Sequence, residues 1–161
     1  PGSINLRPFK GLKPETFQAD FDLNVMGAIK SLQALGKNLQ ATTHASVVFY
    51  STVAVQTGMP FHASVAAAKG ALEGLTRSLA AEWAPKIRVN CIAPSLVNTP
   101  LADKFLNNEA KMEKAGERHP LQRVGTAKEI AEATAYLLSE KSGWMTGQII
   151  QIDGGIGTLK T

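Results

Sequence analysis

The chain has a single cysteine, Cys91, among 161 residues. One thiol builds neither a disulfide framework nor a multi-cysteine metal site, and it suits a reducing compartment; the expectation is a cytoplasmic protein. No stretch approaches 18 uninterrupted apolar residues, so no membrane-spanning helix is expected and the membrane is not an expected partner. No basic-then-apolar leader is seen, so secretion is not expected. Fourteen glycines and eight prolines fall without a period, which excludes a collagen-like chain. His44, His62 and His119 are scattered, with no spacing for a metal triad. Each is expected to be exposed or at a helix cap, and no metal site is expected. Internal repeats and low-complexity tracts are also missing.

What remains is globular. Hydrophobic residues make up 44% and charged residues 19% of the chain, which excludes a disordered segment. The length suits one domain. Pro1-Gly2-Ser3 read as a cloning scar, leaving residues 4–161 as the domain. Seventeen Lys and Arg against 13 Asp and Glu give a net charge of +4, and a pI near 9.3 invites a nucleic-acid reading. The positions argue otherwise. Lys104, Lys111, Lys114, Arg118, Arg123 and Lys128 are interleaved with Asp103, Glu109, Glu113, Glu117 and Glu129, as on a solvated helical surface. No recognition motif accompanies them, so nucleic acid is not an expected partner.

Apolar spacing sets the elements. Pro14 suits a first helical position. From there Phe17, Phe21, Val25, Ala28, Leu32, Leu35 and Leu39 recur at steps of three and four, predicting one continuous helix over 14–40. Gly27 and Gly36 lower its propensity and allow bending. Residues 46–51, Ser-Val-Val-Phe-Tyr-Ser, read as a strand buried on both faces. Residues 52–61 hold Gly58 and Pro60 and read as a loop. A second helix follows over 63–83, with Ala68, Leu72, Leu75, Leu79 and Trp83 on its stripe, and Pro85 helps end it. Residues 87–93 form a second strand, closed by Pro94. The stretch 95–125 is weakly patterned and is expected to hold short helices. Thr126 with Glu129 makes a capping box for a third helix carrying Ile130, Ala133, Leu137 and Leu138. The last strand is 148–152, ended by Asp153-Gly154-Gly155. Helices alternating with short apolar strands predict an α/β fold, a partial Rossmann-like parallel sheet of about three strands with flanking helices.

Ligands gather at the carboxyl ends of strands in such sheets. Three segments qualify: 51–58, 94–99 and 153–155. The first offers Ser51 and Thr52, the second Ser95, Asn98 and Thr99. Lys69 stands alone as a cation in a run of small residues, either a solvated edge residue or a positioned amine. Asn24 lies on or beside the apolar stripe of the first helix. Buried there, it needs partners or costs about 1–3 kcal/mol; it either braces a packing contact or holds a water in a site.

Together these segments resemble the short-chain dehydrogenase/reductase family. The run from Phe21 to Ala28, FDLNVMGA, is similar to the family's helix with its catalytic Asn. Residues 47–60, VVFYSTVAVQTGMP, resemble the strand and loop with its catalytic Ser. Residues 63–100 resemble its catalytic helix, next strand and Pro-Gly cofactor loop, and 119–155 its C-terminal signature. The resemblance implies NAD or NADP as cofactor and hydride transfer between it and a carbonyl or alcohol. In that chemistry a Tyr is the acid/base, and a Lys four residues later lowers its pKa and binds the nicotinamide ribose; a Ser holds the substrate oxygen and an Asn a relay water. A phenol of pKa near 10 needs such a cation to work near neutral pH.

Carried onto this chain, the resemblance assigns Asn24, Thr52 and Lys69 to catalysis, and Lys69, Pro94, Ser95, Val97 and Thr99 to cofactor binding. The chain departs from the pattern at four points. Val65 stands at the Tyr position. Thr52 stands at the Ser position and keeps a hydroxyl. Ser95 stands where the cofactor loop has Gly. The opening strand and Gly-rich turn are not found, and Gly154-Gly155-Ile156-Gly157 precedes no helix. The expectation is therefore a truncated, Rossmann-like member of the family over residues 4–161, an oxidoreductase by descent and inactive as this chain. The alternatives are a non-catalytic scaffold or a small-ligand binder acting through an oligomer interface. A homo-oligomer is expected, through the helices 14–40 and 63–83 or the open edge of the strand at 46–51, unless residues 4–13 cover that edge.

Overall fold

A computed structural model describes residues 2–42 and 44–160. Along the chain, α1 (Pro14–Phe21) runs through a π turn (Asp22–Met26) into α2 (Gly27–Ala41), and β1 (Ala45–Tyr50) follows. Next come α3 (Ala54–Thr57), the long α4 (Ala63–Trp83), β2 (Ile87–Pro94) and the short β3 (Val97–Asn98). Two short helices, α5 (Asp103–Leu106) and α6 (Glu109–Gly116), lead to β4 (Gly125–Thr126), α7 (Ala127–Leu138) and β5 (Ile149–Ile152).

The main sheet is parallel, in the order β1-β2-β5. Val47 lies opposite Val89, and Cys91 lies between Phe49 and Ile149. The fold is thus the expected α/β sheet of three strands. Strand β2 is central, and Val89, Cys91, Ile92 and Ala93 are wholly buried. Side chains alternate across the sheet. Phe49, Ile87, Val89 and Cys91 face α4 and the first helical pair, packing with Val25, Ala68, Leu72 and Ala80. On the other face Ser46 Oγ donates to Leu137 O of α7 at 2.9 Å, and Tyr50 shares a hydrogen bond with Thr134. Asn90 points the same way. Its amide donates to Met145 O and its carbonyl accepts from Gln148 N, tying β2 to the approach of β5.

Several sequence expectations need correction. Strand β1 is not buried on both faces: Phe49 is buried, but Tyr50 is 42% exposed. It has one strand neighbour, β2, among the described residues. The described residues before α1 do not pair with it; Arg7 N donates to Phe61 O and Lys104 to Ile4 O. The loop expected at 52–61 contains α3, a single turn too short for any periodicity to show. Strands β3 and β4, two residues each, pair inside the weakly patterned region.

The helix over 14–40 is interrupted. The Asn24 side-chain amide donates to Asp20 O at 2.8 Å, taking the carbonyl four residues back, and Gly27 N bonds Asp22 O five residues back. One extra residue per turn results, as in π bulges. The capping box forms as read: Thr126 Oγ1 accepts from Glu129 N, and Glu129 accepts from Thr126 N.

Candidate functional site

The site lies where β1, β2 and β5 end. Past β1 the chain turns through Ser51 and Thr52. Ser51 N donates to Ile92 O and Val53 N to Pro94 O, so this turn lies beside the end of β2. Ser51 is buried, and its hydroxyl donates to Glu73 Oε1 at 2.6 Å. Gln56 Nε2 donates to the same oxygen at 2.6 Å. Glu73 is itself buried on α4, so its carboxylate fastens the turn to the helix. Thr52 is half-buried; its oxygen accepts weakly from Ala54 N, which leaves the hydroxyl hydrogen available.

Helix α4 carries Val65 and Lys69, one turn apart on one face. Val65 is buried and offers no proton. The Lys69 ammonium reaches the end of β1 and donates to Tyr50 O at 2.8 Å. Lys69 is half-buried. Burial holds its pKa below the usual lysine value. It has no carboxylate partner among the described residues, and two of its three hydrogens remain to be used. Behind it Cys91 is wholly buried. Burial first, and then the Glu73 carboxylate, push the thiol up to about 11.

Asn24 is buried on the π turn, which packs on α4. Its amide also reaches Ser3 Oγ, and Asp20 accepts from Ser3 and Asn5. Asn24 therefore braces the N-terminal segment. Its Oδ1 has no hydrogen-bond partner among the described residues, and none connects it to Thr52 or Lys69. So the Lys69 ammonium reaches the backbone at the end of β1, Thr52 lies in the turn that follows, whose Val53 N donates to Pro94 O, and Asn24 lies on the π turn.

Past β2, Pro94 leads to Ser95, whose amide donates to Ile152 O of β5. The Ser95 hydroxyl meets His119 Nε2 at 2.8 Å. His119 was expected at an exposed or cap position. It is 4% exposed, with Nδ1 2.9 Å from Ala115 O. No local pattern announces it, because its partner lies 24 residues away. Glu73 was missed too, although a lone acid on the apolar face of α4, four residues past Lys69, was a readable signal. Val97 and Thr99 are half-buried on the loop beyond, with Thr99 Oγ1 turned to Val97 O. No cluster of three or more potential metal ligands occurs among the described residues, and no described helix is long and apolar enough to cross a membrane.

A profile of the family described as enoyl-(acyl carrier protein) reductase matches residues 2–157. The chain belongs to the short-chain dehydrogenase/reductase family. It is 35% identical over 154 residues to a peroxisomal 2,4-dienoyl-CoA reductase of Saccharomyces cerevisiae, covering 95% of this chain and 52% of that protein. It is 39% identical over 138 residues to tropinone reductase-like 3 of Erythroxylum coca, covering 84% and 52%. The chain thus spans about half the length of these curated relatives. A gluconate 5-dehydrogenase of Burkholderia cenocepacia, solved with NADP and tartrate, superposes with a TM-score of 0.90 at 27% identity, over 99% of this chain and 63% of that one. A short-chain dehydrogenase family protein of Francisella tularensis superposes at 0.89 with 32% identity, over 98% and 69%. The fold is therefore the Rossmann-like fold of the short-chain dehydrogenases/reductases, and the chain is oxidoreductase-like.

Proposed function

We propose that this chain supplies the substrate and nicotinamide side of an NAD(P)-dependent oxidoreductase acting on a carbonyl or alcohol, with the proton donor lost. The observation that carries this reading is the Lys69 ammonium fixed on Tyr50 O, two residues before Thr52 in the chain, with buried Val65 one turn earlier. The residues present fit a nicotinamide ribose. Lys69 keeps two free hydrogens for its hydroxyls, and the side chain at Ser95 is turned onto His119. Lys69 would hold the ribose, and Pro94, Ser95, Val97 and Thr99 would line the nicotinamide side; the cofactor supplies hydride when bound. The Thr52 hydroxyl donates to the substrate oxygen. Asn24 keeps one unpaired oxygen for a water. Val65 neither gives nor takes a proton, and loss of general acid–base help costs about 10²–10⁴-fold in rate.

Among the described residues no Gly-rich turn joins a strand to a helix, so the pyrophosphate contacts of the family are not supplied by them. We therefore read this segment as inactive by itself. NADH and NADPH titrations followed by cofactor fluorescence test the site. Weak binding that weakens further in Lys69→Ala supports it, and binding indifferent to that substitution refutes it.

The same reading includes a homo-oligomer. Between α1 and α4 lies a groove of about 570 Å³ lined by Phe9, Leu12, Phe17, Phe21, Ser64 and Ala67. Phe9 is 73% and Phe21 38% exposed, more apolar surface than a solvated helix pair needs. Sedimentation equilibrium giving one species near 17 kDa at micromolar concentration would exclude the oligomer. A reducing, cytoplasmic setting fits the one thiol, held protonated by its burial.

A further inference from the structure

We propose that Ser95 and His119 form a nucleophilic dyad that accepts the short acyl group of an activated ester, an activity separate from hydride transfer. The His119 ring is held on three sides. Nδ1 faces Ala115 O at 2.9 Å, and a backbone carbonyl only accepts, so Nδ1 carries the hydrogen of the neutral ring. Nε2 is then the basic nitrogen, and it stands 2.8 Å from Ser95 Oγ. The ring also packs on Gly154, where an added Cβ would lie 3.3 Å from His119 Cβ. A hydroxyl in hydrogen-bond reach of a base that a third group orients is the arrangement of an activated nucleophile.

The surroundings suit acyl chemistry. Ser95, Leu96, His119, Leu121, Ile152 and Gly154 line a cavity of about 90 Å³. That is room for about three waters, or for an acyl group of two or three carbons against the Leu121 and Ile152 side chains. Among the described residues the backbone N–H groups of Leu96 and Gly154 have no hydrogen-bond partner. Leu96 directly follows the nucleophile, and its N–H is the donor for the developing oxyanion. Glycine, the family's residue at this point of the cofactor loop, could not form the dyad.

In the first step Ser95 Oγ bonds to the carbonyl carbon and the bond from that carbon to the leaving oxygen breaks. His119 Nε2 takes the hydroxyl proton and passes it to the leaving oxygen. Water then adds to the acyl-serine, His119 again carries the proton, and the carboxylic acid departs with Ser95 restored. Nothing is oxidised or reduced, and water is the only co-reactant.

The test treats the folded protein, with no nucleotide added, with a fluorophosphonate probe and locates the adduct by peptide mass spectrometry. A p-nitrophenyl acetate assay runs alongside. The expected result is modification at Ser95 that falls at least about 10²-fold in His119→Gln, with ester hydrolysis falling in parallel. Should His119→Gln fail to fold, wild-type protein in native buffer and in concentrated urea decides. Labelling of Ser95 only in the native state supports the dyad. No adduct at Ser95, or equal labelling in urea, overturns it. Because no cofactor is present, failure here leaves the oxidoreductase reading untouched.

Discussion

At the end of β1, a turn carries Thr52 and a helix brings Lys69 onto Tyr50 O, with Val65 buried one turn before it. At the ends of β2 and β5, Ser95 and His119 are joined across 24 residues of chain, with Gly154 against the ring. The first end has its cation anchored on a backbone carbonyl, and its buried carboxylate, Glu73, is taken up by Ser51 and Gln56. The second has a hydroxyl and a base in direct contact, on a loop where the family has glycine. The difference teaches that neighbouring strand ends of one sheet can be fastened in different ways, the first by a buried carboxylate and the second by a hydroxyl–imidazole contact between distant segments.

The largest effect is expected at Glu73. Glu73→Ala removes the shared acceptor of Ser51 Oγ and Gln56 Nε2, both at 2.6 Å. Hydrogen bonds to a charged group each contribute about 1.5–3 kcal/mol, so a loss of about 3 kcal/mol is expected in urea unfolding. A loss under about 1 kcal/mol would show that the carboxylate does not hold the first end together. At the second end, Gly154→Ala meets two penalties. The residue has φ +62 and its new Cβ presses on His119. The left-handed backbone costs about 1–2 kcal/mol for a non-glycine residue. Thermal unfolding should show that loss, with faster hydrogen exchange at 94–99 and 115–122. Unchanged exchange there would mean that Gly154 does not support the ring.

The smallest effect sharpens the frame rather than either end. Glu129, bound to Arg123 and to the Thr126 cap, has its pKa lowered to about 2, first by the Arg123 hydrogen bond. The unfolded carboxyl titrates near 4.3. A depressed folded pKa adds stability above the unfolded value and loses it as pH falls through the folded one. The melting temperature should therefore drop between pH 4.5 and 2, and the drop should shrink in Glu129→Gln. A profile identical in both proteins contradicts the assignment.

Much of this was legible in the sequence. The three strands, α4 and α7 with its capping box follow from apolar period and cap chemistry, which act within a few residues. The Thr52–Val65–Lys69 spacing placed both α4 positions on one face. What stayed hidden depends on distant partners. His119 has no local signature, and its burial arises from Ser95, Ala115 and Gly154 together. The π turn arises because Asn24 takes the Asp20 carbonyl, a side-chain choice that a helical stripe does not record. Strand β1 read as two-faced because Val47, Val48 and Phe49 are apolar, yet its outer face meets α7 through the polar atoms of Ser46 and Tyr50.

The loss of the proton donor proposed for the β1 end, with the ribose-binding amine kept, is open to direct assay. NADH and NADPH oxidation against a panel of ketones, with the reverse reaction on the matching alcohols, tests it most directly. No saturable turnover is expected from this chain, with rates at least about 10²-fold below what general acid catalysis provides. Robust saturable turnover that disappears in Lys69→Ala would contradict it.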